Sequence, residues 1–444
     1  MFKRAVAISL AFIGVVVGAG FASGQEAMQY FVAFGNKGFL GVVIGALLMM
    51  ITGISILQLG SYFQADEHTS VYEKVSGPIV SRILDWSTIL TLFSIGFVMF
   101  AGGGSNLNQQ FGWPVWVGAV AMLALVLLVG LFDVDRVTAI IGTITPFLVI
   151  FVMGATLWTI FTADIDFSAM NDYAQANVET TLPNWWLSAL NYTGLNVMTA
   201  VSMSIVIGGN FLDNRAVGLG GVIGGTVYLI LLALLVVSLS VVAPAVNGTD
   251  MPVLQMMEEI HPALAYVMTF VIYGMVFNTA VGMFYALGKR LTRNNPRRFY
   301  PVYAAACLIG FVLSFVGFQQ LVGWVYPILG YLGILMILVM SFAWLRNRGN
   351  LTTESDRRMR ARVLVKRRMD PRERFSKKNE RELRKLAAAS NMETPEFIET
   401  VKEEIIEELE DDDTLEDFDP DDPEPSVVYV QHTKPTNGSK RKKN

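Results

Sequence analysis

Glu26 closes the stretch Gly18-Ala19-Gly20-Phe21-Ala22-Ser23-Gly24-Gln25-Glu26, set inside an otherwise apolar run. An ionisable side chain at membrane depth is costly and marks a functional site by default. Burial penalises its charged form, which suits it to proton coupling. The plainer alternative is a carboxylate near an outer mouth, solvated or hydrogen-bonded to a neighbouring helix. The glycines before it have two readings as well. Gly14 with Gly18, and Gly20 with Gly24, are small-xxx-small pairs of the kind that pack helices closely. They also permit the unusual dihedrals of a break. Unwound backbone at membrane depth is tolerated where it lines a cavity or is buried in protein. There, freed amides attract an anion and freed carbonyls a cation, a pairing that suits a zwitterion and a coupling ion. Ser23, Gln25 and Glu26 beside the glycines favour the break.

The elements around this segment must span a membrane. Of the 444 residues 53% are hydrophobic and 16% charged, against about a quarter charged in a soluble domain. Of 34 Lys and Arg, 22 follow residue 345, so a membrane domain (1–345) precedes a charged tail (346–444). Cys307 is the single cysteine, which excludes a disulfide or cysteine metal site within one chain. His68 and His261 fall in loops and His432 in the tail. No metal centre, cofactor or nucleic-acid partner is therefore expected, beyond sodium or a proton as coupling ion.

Ten stretches have the roughly 20 apolar residues of a span: 4–34, 38–63, 83–105, 113–132, 136–162, 184–210, 216–243, 262–288, 299–318 and 321–345. Loops on one side hold Lys3, Arg4, Lys74, Arg82, Arg136, Arg215, Lys289, Arg290, Arg293, Arg297 and Arg298; the other side holds Lys37 alone. This alternation predicts a multi-pass protein of the plasma membrane with both termini cytoplasmic. The first run, continuing to Phe34, is longer than a cleavable signal needs.

Ten spans divide into two units of five. Five is odd, so tandem units lie upside down to one another, the inverted repeat of many secondary transporters. The expected fold is an all-α membrane protein of 5+5 inverted helices with discontinuous helices 1 and 6. Asn191-Tyr192-Thr193-Gly194-Leu195-Asn196 supplies poor helix formers and polar groups for the second break. Pro146 and Pro327 fall in the N-terminal halves of spans 5 and 10. The expected ligand-binding set is thus Gly18, Ala19, Gly20, Phe21, Ala22, Ser23, Gly24 and Gln25 with Asn191, Tyr192, Thr193, Gly194 and Asn196. Gly102 to Asn106 reads as close packing or a hinge, and 244–262 as a short external helix placed to act as a lid.

The segment Gly18 to Glu26 also resembles the GAGFASGQE signature of the YkvI-like membrane proteins, a family assigned as amino-acid permeases in the amino acid–polyamine–organocation superfamily. The resemblance covers residues 1–345 and implies the LeuT-type fold. In sodium symporters of that fold, helix 8 hydroxyls join helix 1 carbonyls around sodium. Asn278 and Thr279 on span 8 offer similar oxygens, and ordinary interhelical hydrogen bonds explain them equally well. Glu26, Asn278 and Thr279 are the expected ion-coupling residues.

The tail places 16 Lys and Arg between Arg346 and Lys385, then 17 Asp and Glu over 393–424 against Lys402 alone. The basic block is expected to meet anionic inner-leaflet lipids, its partner proteins being unidentified. The tail as a whole is expected to be largely disordered. The two blocks could also pair with each other, and helical pieces are expected near 370–389 and through Ile398, Val401, Ile405 and Leu409.

These features point to an ion-coupled secondary transporter of amino acids or related small zwitterions. The alternative is a non-transporting sensor of the same fold acting through its tail. An enzyme lacks catalytic parts in the membrane, and no G-x-x-x-x-G-K-[ST] loop supports an ATP-driven pump.

Overall fold

The computed structural model describes residues 2–132, 144–163, 165–370 and 372–410, and every regular element among them is helical. Span 1 consists of three pieces: α1 (Phe2–Val16), α2 (Ala19–Ser23) and α3 (Gln25–Tyr30). Span 2 is α4 (Asn36–Phe63), and α5 (His68–Val75) leads to span 3, α6 (Pro78–Phe111). Spans 4 and 5 are α7 (Val115–Val129) and α8 (Ile144–Thr162), with α9 (Phe167–Asn177) after them. The expected start of span 5, residues 136–143 with Arg136, lies outside the described residues.

The second half runs α10 (Trp185–Gly209), α11 (Asn214–Val241), α12 (Ala243–Val246), α13 (Pro252–Ile260), α14 (Pro262–Leu291), α15 (Phe299–Leu313) and α16 (Phe318–Met369). The tail adds α17 (Lys377–Ala389) and α18 (Thr394–Glu410). Among the described residues, seven unbroken helical segments are each long and apolar enough to cross a membrane. The split span 1, the 15-residue α7 and the partly described span 5 account for the remaining expected spans. Large apolar side chains such as Ile150, Phe161, Phe270, Val312 and Phe342 lie on the outside, as a lipid-facing belt requires.

The inverted repeat is visible in the packing. Span 2 packs on span 6, and span 7 on span 1; span 3 on span 4, and span 8 on span 9. Span 5 meets spans 7 and 8, just as span 10 meets spans 2 and 3. Adding five to one contact generates the other. Spans 1, 2, 6 and 7 form one group, spans 3, 4, 8 and 9 a second, and the cavity described below lies between them.

Close packing explains many of the glycines. Phe12 lies against Gly53 and Gly224, which ties span 1 to spans 2 and 7. The run Gly102 to Asn106 serves close packing too: side chains at Gly103 and Gly104 would strike α7, while Asn106 Nδ2 donates to the Thr269 carbonyl at 2.9 Å.

Two expectations fail. The break in span 6 is absent, and α10 is continuous from Trp185 to Gly209. The amide and hydroxyl side chains of the expected break are satisfied without unwinding. Asn191 Nδ2 donates to the Pro327 carbonyl at 2.9 Å, Thr193 Oγ1 to the Ala189 carbonyl at 2.9 Å, and Asn196 Nδ2 to the Tyr192 carbonyl at 2.9 Å. Gly194 lets the backbone of α16 approach at Gly330 and Gly333. The irregularity belongs instead to α16. Pro327 lacks an amide hydrogen, and the Gly323 carbonyl it would have satisfied accepts from Thr181 Oγ1 at 2.7 Å. The side-chain surroundings of its expected counterpart, Pro146, lie outside the described residues.

The tail is not a disordered arm as far as Glu410; residues 411–444 lie outside the described set. Helix α16 runs on to Met369, and α17 and α18 fold back against it. Ala361, Leu364, Val365, Leu383, Phe397, Val401 and Ile405 form a second apolar core with Leu212 from the α10–α11 turn. The basic and acidic blocks pair through Lys366 with Glu408 at 2.7 Å and Arg362 with Glu408, while Arg360 meets Glu382 within the basic block at 2.7 Å.

Candidate functional site

The centre of span 1 is broken twice. Gly18 is extended between α1 and α2, and Gly24 turns left-handed at φ +77° between α2 and α3. Glycine suits that dihedral, and a Cβ at Gly24 would also meet Val253 Cγ2 at 2.7 Å. Ser23 Oγ donates to the Gly20 carbonyl at 3.0 Å and accepts from the Gln25 amide at 3.2 Å. The hydroxyl thereby serves both sides of the second kink.

A cavity of about 590 Å³ ends on this break. Gly18, Ala19, Gly20, Phe21 and Glu26 line it from span 1, Tyr192 and Asn196 from span 6, and Asn278 and Thr279 from span 8. Glu26 is buried, and its carboxylate folds back over Gly20, where any side chain would collide with it. Tyr192 is its polar neighbour. Thr279 Oγ1 donates to the Met275 carbonyl at 3.0 Å and lies 3.9 Å from the position of a Cβ on Gly18. The helix 8 hydroxyl and the helix 1 break therefore face each other.

The remaining expected residues stand elsewhere. Asn191, Thr193 and Gly194 point at spans 10 and 2, with Asn191 Oδ1 also accepting from Tyr30 Oη at 3.2 Å. Ala22, Ser23 and Gly24 hold the break without lining the cavity. Gln25 lines a second cavity of about 440 Å³, with Gln29, Thr180, Thr181, Gln320 and Trp324. The helix 1 break thus touches both cavities, through Glu26 on one side and Gln25 on the other.

Sequence reasoning missed the opposite wall. Leu92, Ile95 and Met99 of span 3 and Met275, Gly282 and Met283 of span 8 line the first cavity. Their spacing of three and four residues was the available signal, but apolar stripes of that kind are everywhere in a membrane protein.

The mouth of the first cavity lies at Asp66, Glu67, His68, Lys289, Arg290 and Arg293, on the side carrying most of the membrane domain's basic residues. Arg290 pairs with Asp85 at 2.7 Å and Arg293 with Glu67 at 2.7 Å. His68 Nε2 is 3.8 Å from Asp85. Burial, aided by Arg290, lowers the His68 imidazole from 6.5 to about 4, while Asp85 and Glu67 oppose the shift.

No family model matches the chain. Two proteins of Bacillus subtilis (strain 168) are similar to it. The uncharacterized membrane protein YkvI is 26% identical over 330 residues, 74% of this chain and 93% of that protein. The uncharacterized protein YyaD is 24% identical over 333 residues, 74% and 94% of the two chains. Among solved structures, MhsT in complex with L-phenylalanine superposes with a TM-score of 0.56 at 13% identity, over 89% of this chain and 97% of that one. The inward-facing conformation of Mhp1 gives 0.53 at 13% identity, over 77% of each chain. At such identity the likeness shows the fold, which is the one expected from residues Gly18 to Glu26. The chain is a multi-pass membrane protein, homologous to YkvI and YyaD and built on the LeuT-type transporter fold.

Proposed function

We propose that the protein is an ion-coupled secondary transporter of amino acids or related small zwitterions. Alternating access would proceed around the helix 1 break, in the plasma membrane with both termini cytoplasmic. The observation that carries this reading is the position of the break. It forms the blind end of a cavity of about 590 Å³ and touches a second cavity on its far side. Rocking spans 1, 2, 6 and 7 against spans 3, 4, 8 and 9 would open one cavity as it closes the other. With the termini cytoplasmic, the larger cavity opens inward. Glu26 is the candidate for proton coupling; Thr279 and Asn278, facing the break, are the candidates for sodium.

The test is uptake by the full chain in liposomes. Concentrative accumulation of a labelled amino acid, driven by an imposed proton or sodium gradient, is the expected result. No accumulation of any of the twenty amino acids by folded protein, under either gradient, would refute it.

The docking of α17 and α18 at the ends of spans 1, 2 and 6 favours a second reading, a sensor that signals through its tail. A chain ending at residue 345 separates the two. A transporter still moves substrate, whereas a sensor loses its output.

A further inference from the structure

The buried end of the first cavity holds a carboxyl group with no counter-ion among the described residues. Glu26 is 8% exposed, lines the cavity, and makes no ion pair among the described residues. The basic side chains that share the cavity lie at its mouth and are engaged there. Arg290 pairs with Asp85 and Arg293 with Glu67, while Lys289 Nζ sits 5.2 Å from the Phe299 ring centre and 5.5 Å from that of Tyr285. The absence of a side chain at Gly20 is what leaves room for the carboxylate over the break. Around it stand Phe21, Tyr192 and Tyr326, and aromatic faces attract cations. An ionised carboxylate in a desolvated site is stabilised by a compensating positive charge, and the rings suit a soft, partly alkylated one.

We propose that the ligand of this cavity presents a cationic nitrogen, a primary or secondary ammonium, to the Glu26 carboxylate between Phe21, Tyr192 and Tyr326. This rests on the transport reading of the cavity and specifies what its substrate must carry. The ammonium is required; a substrate carboxylate is not.

The test uses matched triplets on the leucine, phenylalanine and alanine side chains: the amino acid, the amine without its carboxyl group, and the acid without its amino group. Stabilisation of the purified full chain against heat reports binding. In at least one triplet the amino acid or amine should stabilise and the acid should not. Glu26→Gln should weaken that binding by about tenfold or more, since an ammonium would lose its buried partner. Glu26→Asp, which keeps the charge, should retain the preference for nitrogen and controls for folding. An acid that binds as well as its amine, equal binding by Glu26→Gln, or no stabilisation by any triplet member overturns the proposal. Liposome uptake of the same labelled compounds separates the two levels. An acid that is transported while its amine is not would overturn the ammonium requirement and leave transport standing. No transport of any member by folded protein would overturn both.

Discussion

Replacing Arg358 by methionine should undock the tail while leaving the ten-span domain folded. Glu354 and Arg358 are 2% and 3% exposed. The guanidinium donates to Glu354 Oε1 at 3.1 Å, to the Ser61 and Tyr62 carbonyls at 2.8 and 3.0 Å, and to Asn391 Oδ1 at 3.0 Å. It thus caps the C-terminal end of α4, where a cation is favoured, and joins α16 to the α17–α18 turn. Methionine fills similar space but leaves Glu354 with only Arg357 and Ser390, while the Ser61 and Tyr62 carbonyls keep only their bonds from Gln64 and Asn391. Removing one member of a buried pair costs about 3–5 kcal/mol. At about 1.4 kcal/mol per factor of ten, that predicts amide exchange in α17 and α18 faster by roughly two to three and a half powers of ten. Hydrogen exchange read by mass spectrometry measures this, with the amides of α4 and α11 as internal reference. The double change Glu354→Leu with Arg358→Met should recover much of the protection, because an apolar pair of similar volume leaves no orphaned charge. Wild-type protection in the single variant, or no recovery in the double one, would refute the buried pair as the anchor.

Three further outcomes follow from single sites. Because the His68 value is lower in the folded chain than in the unfolded one, its contribution to stability is complete above pH 6.5 and is lost as pH falls through 4. That loss is worth at most about 3 kcal/mol, and a melting series against pH should show a slope that His68→Gln flattens. Gly24→Ala should destabilise by about 2 kcal/mol, from the left-handed dihedral and the approach to Val253, with a lowered melting temperature. Thr181→Val should cost about 1–3 kcal/mol by orphaning the Gly323 carbonyl, which Pro327 cannot satisfy. Thr181→Ser, tested in the same melts, should retain most of the stability.

Local chemistry was legible wherever a backbone group had few choices. Gly18, Gly24 and Ser23 specify two kinks within seven residues, and the structure breaks span 1 there. The short helix expected within 244–262 is α13, and the spacing of Val401, Ile405 and Leu409 marked the buried face of α18. Span 6 was misread because Asn191, Thr193, Gly194 and Asn196 look the same in sequence whether they unwind a helix or pack it. The rotation of about 100° per residue in a helix separates residues that face the cavity, Tyr192 and Asn196, from those that face span 10, Asn191 and Gly194.

The tail turned on a similar question of partners. Its charge blocks read first as a solvated arm and second as a set of ion pairs, and Leu212 with the end of α4 selected the ion pairs as far as Glu410. By itself, then, the sequence determined the spans and marked the broken helix, because these depend on hydrophobicity and on dihedrals that few residues adopt; whether Glu26 is buried or solvated at a mouth was left to the tertiary structure. Only the tertiary structure decided which polar side chains meet the cavity and which satisfy a neighbouring helix. A hydrogen-bonding group is satisfied by whichever partner packing brings within reach, and that partner is distant in the chain.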